Sequence, residues 1–284
     1  MSGGAGLLRV PRTGEILGNV VACGLDQQQR VRVIDAFRSR VAVRFINALD
    51  DLTNELRATL DDVDVVILPA VDRDGFAGMI ERTVRALVVD RPRVAIVAYC
   101  PPGARYSTQI RALTAAGVHQ FVFAGIDDHG ATLRNVLAAA RRDCAAEWVM
   151  QQMRAIVPPQ LHRLVEAILT RPDRVTTIPT LAAELGVHRK TLFNWCDRAA
   201  FLPPAELLAW ARLALVAYHL ESTGCTVETI ALELSYPSDT TLRNTIKRYT
   251  GVRASEIRKN GGVARVLESL RRRLSNGEIT LHNE

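Results

Sequence analysis

The sequence has no uninterrupted apolar run of about 18 residues, the length a helix needs to cross a bilayer, so no membrane partner is expected. It has no cysteines spaced Cys-x-x-Cys. Its five cysteines, Cys23, Cys100, Cys144, Cys196 and Cys225, are odd in number and scattered. That argues against a disulfide frame and a structural zinc site, and it fits a reducing cytoplasm. The opening "MSGGAGLLRVPRTGE" lacks a long apolar core and a small-residue cleavage site, so residues 1–14 read as a loose arm and not as a signal peptide. Lysine is scarce: Lys190, Lys247 and Lys259 are the three in the chain, and all lie in its second half.

What is present suffices for two ordinary domains. The 284 residues are 48% hydrophobic and 23% charged, a globular composition with room for two buried cores. The net charge of +6 is uneven, because residues 150–284 carry 18 Lys and Arg against 13 Asp and Glu, whereas residues 1–149 carry 18 against 17. A solvated face would give a similar bias. Here the bias coincides with a repeat.

From about residue 18 the chain alternates β-branched runs with amphipathic stretches. The runs are "NVVACG", "VAVRFI" (41–46), "DVVILP" (64–69), "RVAIVA" (93–98) and "VHQFVF" (118–123). Helical spacing follows each, as in Ile80, Val84, Leu87 and Val88. Nearly continuous apolar runs separated by helices indicate parallel strands covered on both faces. Five such units predict a doubly wound α/β sandwich, flavodoxin-like in order.

That size and rhythm resemble the receiver domain of two-component response regulators. The resemblance implies acidic Mg²⁺ ligands after the first strand and a phosphate-accepting aspartate at the end of the third. It also implies Ser/Thr closing the fourth strand and Lys closing the fifth. Those places hold Cys23 and Gly24, Pro69, Ala98 and Ala124, with Asp26 as the one nearby acid at the first. Mg²⁺ needs oxygen ligands in tight octahedral geometry, which these residues do not supply. Asp72 and Asp74 read as loop and helix-start residues. The expectation is a degenerate receiver with no phosphoacceptor, no metal and no cofactor.

A catalytic reading centres on Cys100, just after a strand. A nucleophile elbow wants small neighbours and a helix starting on the nucleophile, whose N-terminus lowers the thiol pKa. The stretch is "AYCPPG", and two prolines prevent that start. Nothing in the spacing ties His119 or His129 to Cys100 as a base. A buried structural thiol is expected, and no enzyme.

The segment 132–157 has no glycine or proline and keeps a stripe of Leu133, Leu137, Ala140, Cys144 and Trp148. It reads as one long helix whose far end packs on a partner chain or on the second domain. After Pro158-Pro159 comes the repeat. "LAAELGVHRKTLFNW" starts at Leu181, and "IALELSYPSDTTLRN" starts at Ile230. The offset is 49 residues at the start and 50 at the end, so the second copy holds one extra residue in its turn.

Each box reads as a helix, a tight turn and a second helix. Ala182 and Ala231 are small where two helices approach, and Gly186, replaced by Ser235 in the second box, supplies a left-handed turn residue. His188 and Ser238 stand at the start of the following helix. Leu192, Trp195 and Cys196 form one inner stripe, and Leu242, Ile246 and Tyr249 the other. The expected DNA-contacting residues are Arg189, Lys190, Thr191, Phe193 and Asn194 in the first box. In the second they are Asp239, Thr240, Arg243, Asn244 and Lys247. Arg can bond a guanine edge twice, and Asn can do the same to adenine.

Residues of about 158–258 resemble the AraC/XylS-type DNA-binding domain along its length. Arg212 in "PAELLAWARLALVAYHL" occupies that family's usual arginine, and "IKRYTGVRASEIR" is similar to its Phe-Lys-x-x-x-Gly-x-x-Pro-x-x-Tyr-Arg ending. Ser235 replaces the usual glycine, Ile246 the phenylalanine, Ala254 the proline and Asn194 a frequent arginine. The resemblance implies two helix-turn-helices held apart by a helix over about 204–221. That helix is about 27 Å long, comparable to the ~34 Å between successive major-groove faces. Beyond Gly262, "VARVLESLRRRL" reads as an amphipathic packing helix, with a phosphate-contacting arm as the alternative.

The expected chain is an α/β doubly wound parallel five-stranded sheet followed by an all-α tandem helix-turn-helix domain. Its expected parts are an arm (1–14), the receiver-like domain (15–145), a linker helix (146–157), the DNA-binding domain (158–261) and a C-terminal helix and tail (262–284). The expected function is sequence-specific transcription regulation in the cytoplasm, on the nucleoid when bound. Expected partners are double-stranded DNA, a second copy paired through the receiver-like domain and linker helix, and RNA polymerase. A phospho-switched response regulator and an α/β enzyme fused to a DNA-targeting module are the alternatives.

Overall fold

The computed structural model describes residues 19–37, 43–49, 52, 63–71, 78–101, 107–221 and 225–281. The arm at 1–14, Asp72, Asp74 and residues 282–284 lie outside them. The chain divides into two compact units, Met1–Arg141 and Arg142–Glu284.

The first unit is built on β1 (Asn19–Cys23), β2 (Val43–Ile46), β3 (Val63–Pro69), β4 (Ala95–Cys100) and β5 (Gln120–Phe123). All pair in parallel, in the order β2-β1-β3-β4-β5. This is the expected flavodoxin-like order, in which parallel neighbours require crossovers that cover both faces. Val65 to Leu68 and Ala95 to Val97 are fully buried, which explains why those runs do not alternate. The covering helices are α1 (Gln27–Phe37), α2 (Gly78–Asp90), α3 (Ser107–Ala116) and α4 (Gly130–Arg154). Ile80, Val84 and Leu87 of α2 and Leu113 of α3 pack with Val66, Leu68, Ile96 and Ala98. Arg141 of α4 pairs with Asp64 of β3 at 3.0 Å, and Arg134 donates to the Ala36 carbonyl of α1.

Helix α4 continues past the end of the first unit, and its buried stripe changes on the way. Leu133, Leu137 and Ala140 are buried in its first half. Cys144 is buried as expected, and beyond it Ala145, Ala146, Val149, Met150 and Met153 are buried and join the core of the second unit together with Val157. The expected stripe included Trp148, which is only half-buried and packs its ring 5.6 Å from Tyr218. The far end of α4 is therefore covered by the chain's own second unit.

The second unit is all helical. A 3-10 turn (Pro159–Leu161) leads into α5 (His162–Thr170), followed by α6 (Ile178–Leu185), α7 (Arg189–Arg198) and α8 (Pro204–Glu221). Then come α9 (Val227–Glu233), α10 (Asp239–Thr250), α11 (Ala254–Lys259) and α12 (Gly262–Leu281). Every residue of α8 from Trp210 to Leu220 is buried. A helix apolar all round must be central, and α5, α6, α7, α9, α11 and α12 all pack on α8. Helix α12 runs antiparallel along it. The Val263 amide donates to Glu221 at 3.1 Å, and Arg273 forks onto Glu206 at 2.8 and 3.2 Å. Val263, Val266, Leu267 and Leu270 of α12 are buried, so this is the packing helix.

Candidate nucleic-acid interface

The two boxes fold with the same hydrogen bonds. In the first, the Gly186 amide donates to Ala183 at 3.1 Å and the Val187 amide to Ala182 at 3.0 Å. In the second, Ser235 donates to Leu232 at 3.2 Å and Tyr236 to Ala231 at 2.8 Å. Gly186 and Ser235 are left-handed, at φ 65° and 53°. The pattern closes the C-terminus of each first helix by satisfying its last carbonyls. The extra residue of the second box is Pro237, inserted between that closure and the Ser238 cap.

Caps fix all four helix starts. Thr177 and Thr180 form a reciprocal capping box on α6, and the Thr226 hydroxyl accepts from the Thr229 amide on α9. His188 Nδ1 accepts from the Lys190 amide at 3.2 Å to open α7, and Ser238 accepts from the Thr241 amide at 3.1 Å to open α10. His188, a poor cap by composition, is a working one here.

The second helix of each pair buries one side and exposes the other. Leu192 and Cys196 are buried on α7 and Leu242 and Ile246 on α10, with Trp195 and Tyr249 half-buried beside them. Outside stand Arg189, Lys190, Phe193 and Asn194, matched on α10 by Thr240, Arg243, Asn244 and Lys247; Thr191 and Asp239 are half-buried flanks. Arg198 and Arg248 are also exposed, each four residues beyond an asparagine. Sequence reading missed this pair, although the one-turn spacing was there to find it. Asp239 holds Arg243 Nε at 3.3 Å, which leaves the guanidinium end nitrogens facing outward. Among the described residues, no hydrogen bond or ion pair engages the side chains of Arg189, Lys190, Asn194, Asn244 or Lys247. Such a face offers cationic and amide donors to an anionic, hydrogen-bonding groove.

Arg212 links the approach to the first box with the turn of the second. Its buried guanidinium donates to the carbonyls of Pro172 and Val175, just ahead of α6, and to Leu234, in the turn after α9. It also lies 4.8 Å from the Tyr236 ring centroid. Burial pushes the Tyr236 phenol pKa up, and the guanidinium partly offsets this. One side chain thus bonds the loop ahead of the first helix-turn-helix and the turn of the second from the helix between them.

At the carboxyl edge of the first unit, the described residues at the receiver-type positions are Cys23, Gly24, Pro69, Ala98 and Ala124. An added Cβ at Gly24 would stand 3.4 Å from the Pro69 ring, so the glycine and the proline lie side by side at the strand ends. Asp26, the one acid nearby, caps α1: it accepts from the Gln29 amide at 2.8 Å while Gln29 accepts from its own amide at 3.0 Å. Strand β4 runs two residues beyond the expected Ala98, so Tyr99 pairs with Pro69 in register and Cys100 ends the strand. The Ala124 amide donates to the Cys100 carbonyl at 2.9 Å.

Cys100 is fully buried, and burial together with the Asp127 charge pushes its pKa up to about 11. That is the opposite of an activated thiol. His119 Nδ1 accepts from the Ile96 amide at 3.0 Å, so it is engaged in the sheet, and His129 lies 3.8 Å from Asp128. The buried Tyr99 hydroxyl donates to Asp128 at 2.6 Å. Burial opposes the Asp128 charge, but this bond, the Gly125 amide and Arg32 together hold its carboxyl below the usual value. Among the described residues no three of His, Cys, Asp and Glu gather as a metal site, and no helix is long and apolar enough to cross a membrane.

No curated protein matches the chain. A solved structure, full-length FixJ from B. japonicum, is similar to it at 14% identity over 71% of this chain and 97% of that one, with a TM-score of 0.38. Residues 181–260, which hold both boxes, match the family model of a helix-turn-helix domain.

Proposed function

We propose that the protein is a sequence-specific transcription regulator that reads two adjacent major-groove segments with α7 and α10. The observation that carries this is the pair of identically bonded turns, each presenting a helix with an outward basic and amide face. The helix-turn-helix family match supports the DNA-binding part of the reading. Arg189, Lys190, Thr191, Phe193, Asn194, Asp239, Thr240, Arg243, Asn244 and Lys247 are the proposed contacts. The AraC-type assignment for 158–261 rests on the resemblance carried by Arg212 and the two boxes.

The domain expected at 15–145, which the first unit contains for the most part, is proposed to be a degenerate receiver that is not switched by aspartyl phosphate. Pro69 stands at the acceptor place, Gly24 packs on it, and Asp26 is occupied as a helix cap. A group that does not form cannot bias two conformations. The domain is proposed instead to pair two copies, and Val31 and Ile34, exposed one turn apart on α1, support an apolar contact there. Because the far end of α4, within the linker expected at 146–157, is covered by its own chain, that pairing relies on the first unit and the near half of the helix. RNA polymerase is the proposed protein partner.

The test is selection of bound sequences from random DNA with the purified full chain. The reading expects a bipartite consensus, with affinity falling steeply with salt as phosphate contacts release counterions. Lys247→Ala should lower affinity evenly across sequences and flatten that slope by about one counterion. A selection that returns no consensus would refute the proposed function.

A further inference from the structure

The two boxes share Thr-Leu-x-Asn and differ at x, which is Phe193 in α7 and Arg243 in α10. The two helices share one pattern of burial, with Leu192 and Leu242 inside and Asn194 and Asn244 outside, so x takes the same place on each helix. Phe193 is 43% exposed, a large apolar ring standing on the outer face of α7. Lys190 precedes Phe193 by three residues and Asn194 by four, which sets cation, ring and amide side by side on the helix surface.

We propose that position x tells the two half-sites apart, and that Phe193 does so by packing against the 5-methyl group of a thymine. The inference rests on the DNA-binding reading above. The thymine methyl is the apolar group that a base presents in the major groove, and a phenyl ring without hydrogen-bonding groups suits it better than any donor or acceptor there. Arg243, held at Nε by Asp239, has free end nitrogens for a guanine edge, so the second box reads a different base at the matching place. With Asn194 and Asn244 both suited to adenine, the half-sites share one preference and diverge at the neighbouring one.

The test uses the full chain and its selected site. Each thymine of the half-site that responds to Asn194→Ala is replaced in turn by deoxyuridine, which removes only the methyl. One replacement should weaken the wild-type protein about fourfold, the effect of unburying one methyl-sized group. Phe193→Ala should bind thymine and deoxyuridine sites equally, whereas Arg243→Ala should keep the full discrimination. The wild-type measurement needs no variant, so a misfolded Phe193→Ala would not rescue the idea. Selective bipartite binding that ignores every methyl in that half-site, or a selected half-site with no thymine, overturns this inference alone. Absence of any sequence-selective binding overturns the function on which it rests.

Discussion

Replacing Arg212 by methionine should destabilise the second unit severely while keeping most of the side chain's volume. The guanidinium serves three backbone carbonyls, those of Pro172, Val175 and Leu234, and it stacks on Tyr236. Methionine removes the donor and leaves all three acceptors buried, at about 1 kcal/mol or more each. Loss of the stacking adds about 1 kcal/mol. Replacing a buried charge together with its partner by apolar groups is often neutral, but here the partners are main-chain carbonyls that remain. The total is about 3–5 kcal/mol, a large part of the roughly 5–15 kcal/mol that holds a domain together. The melting temperature should drop by about 10 °C. Intrinsic tryptophan fluorescence is the natural assay, because Trp148, Trp195 and Trp210 are the three tryptophans of the chain and all lie in this unit. Arg212→Lys, which keeps the charge but not the fork, should fall between. A methionine variant within about 1 kcal/mol of wild type would show that the three bonds do not hold the unit together.

Ser235→Gly should stabilise the second unit by about 1 kcal/mol, since serine there is held at φ 53°, and Gly186→Ala should destabilise it by a similar amount; urea titration followed by fluorescence reads both. Cys100 and Cys196 have pKa values raised to about 11 from 9.0, so each favours the fold fully below about pH 9 and loses that contribution as pH rises through about 11. Denaturation midpoints measured from pH 8 to 11 should fall over that window, and thiol alkylation at pH 8 should require unfolding. Incubation with acetyl phosphate should leave both the mass and the DNA affinity unchanged. A phosphoryl adduct with a gain in affinity would restore the phospho-switched alternative.

Much of this fold was legible because its signals are local. The continuous runs of β3 and β4 announced strands buried on both faces, and the repeated Ala-x-Glu-Leu and Thr-Leu-x-Asn spacings announced the two boxes. The resemblance implied a helix over about 204–221, and α8 spans Pro204–Glu221. What escaped depends on distant partners in some places and on the choice of a nearby side-chain partner in others. Strand β4 extends to Cys100 because Tyr99 pairs with Pro69 on one side and Cys100 with Phe123 on the other, partners distant in sequence. In α4 the stripe shifts because its first half faces the sheet and its second half joins another core, and a single helical period cannot show two successive partners. Asp26 reads as a possible metal ligand until Gln29 is seen to complete a capping box with it. Asp239 reads as a charge facing phosphate until it is seen bonded to Arg243.

The central claim, that one chain reads two grooves, is tested most directly by hydroxyl-radical footprinting of the selected site with wild type, Asn194→Ala and Arg243→Ala. The account predicts two protected segments about one helical turn, ~34 Å, apart. Each variant should weaken binding by about 1–3 kcal/mol and relax base preference in a different segment. A single short protected segment that Arg243→Ala leaves unchanged would contradict it.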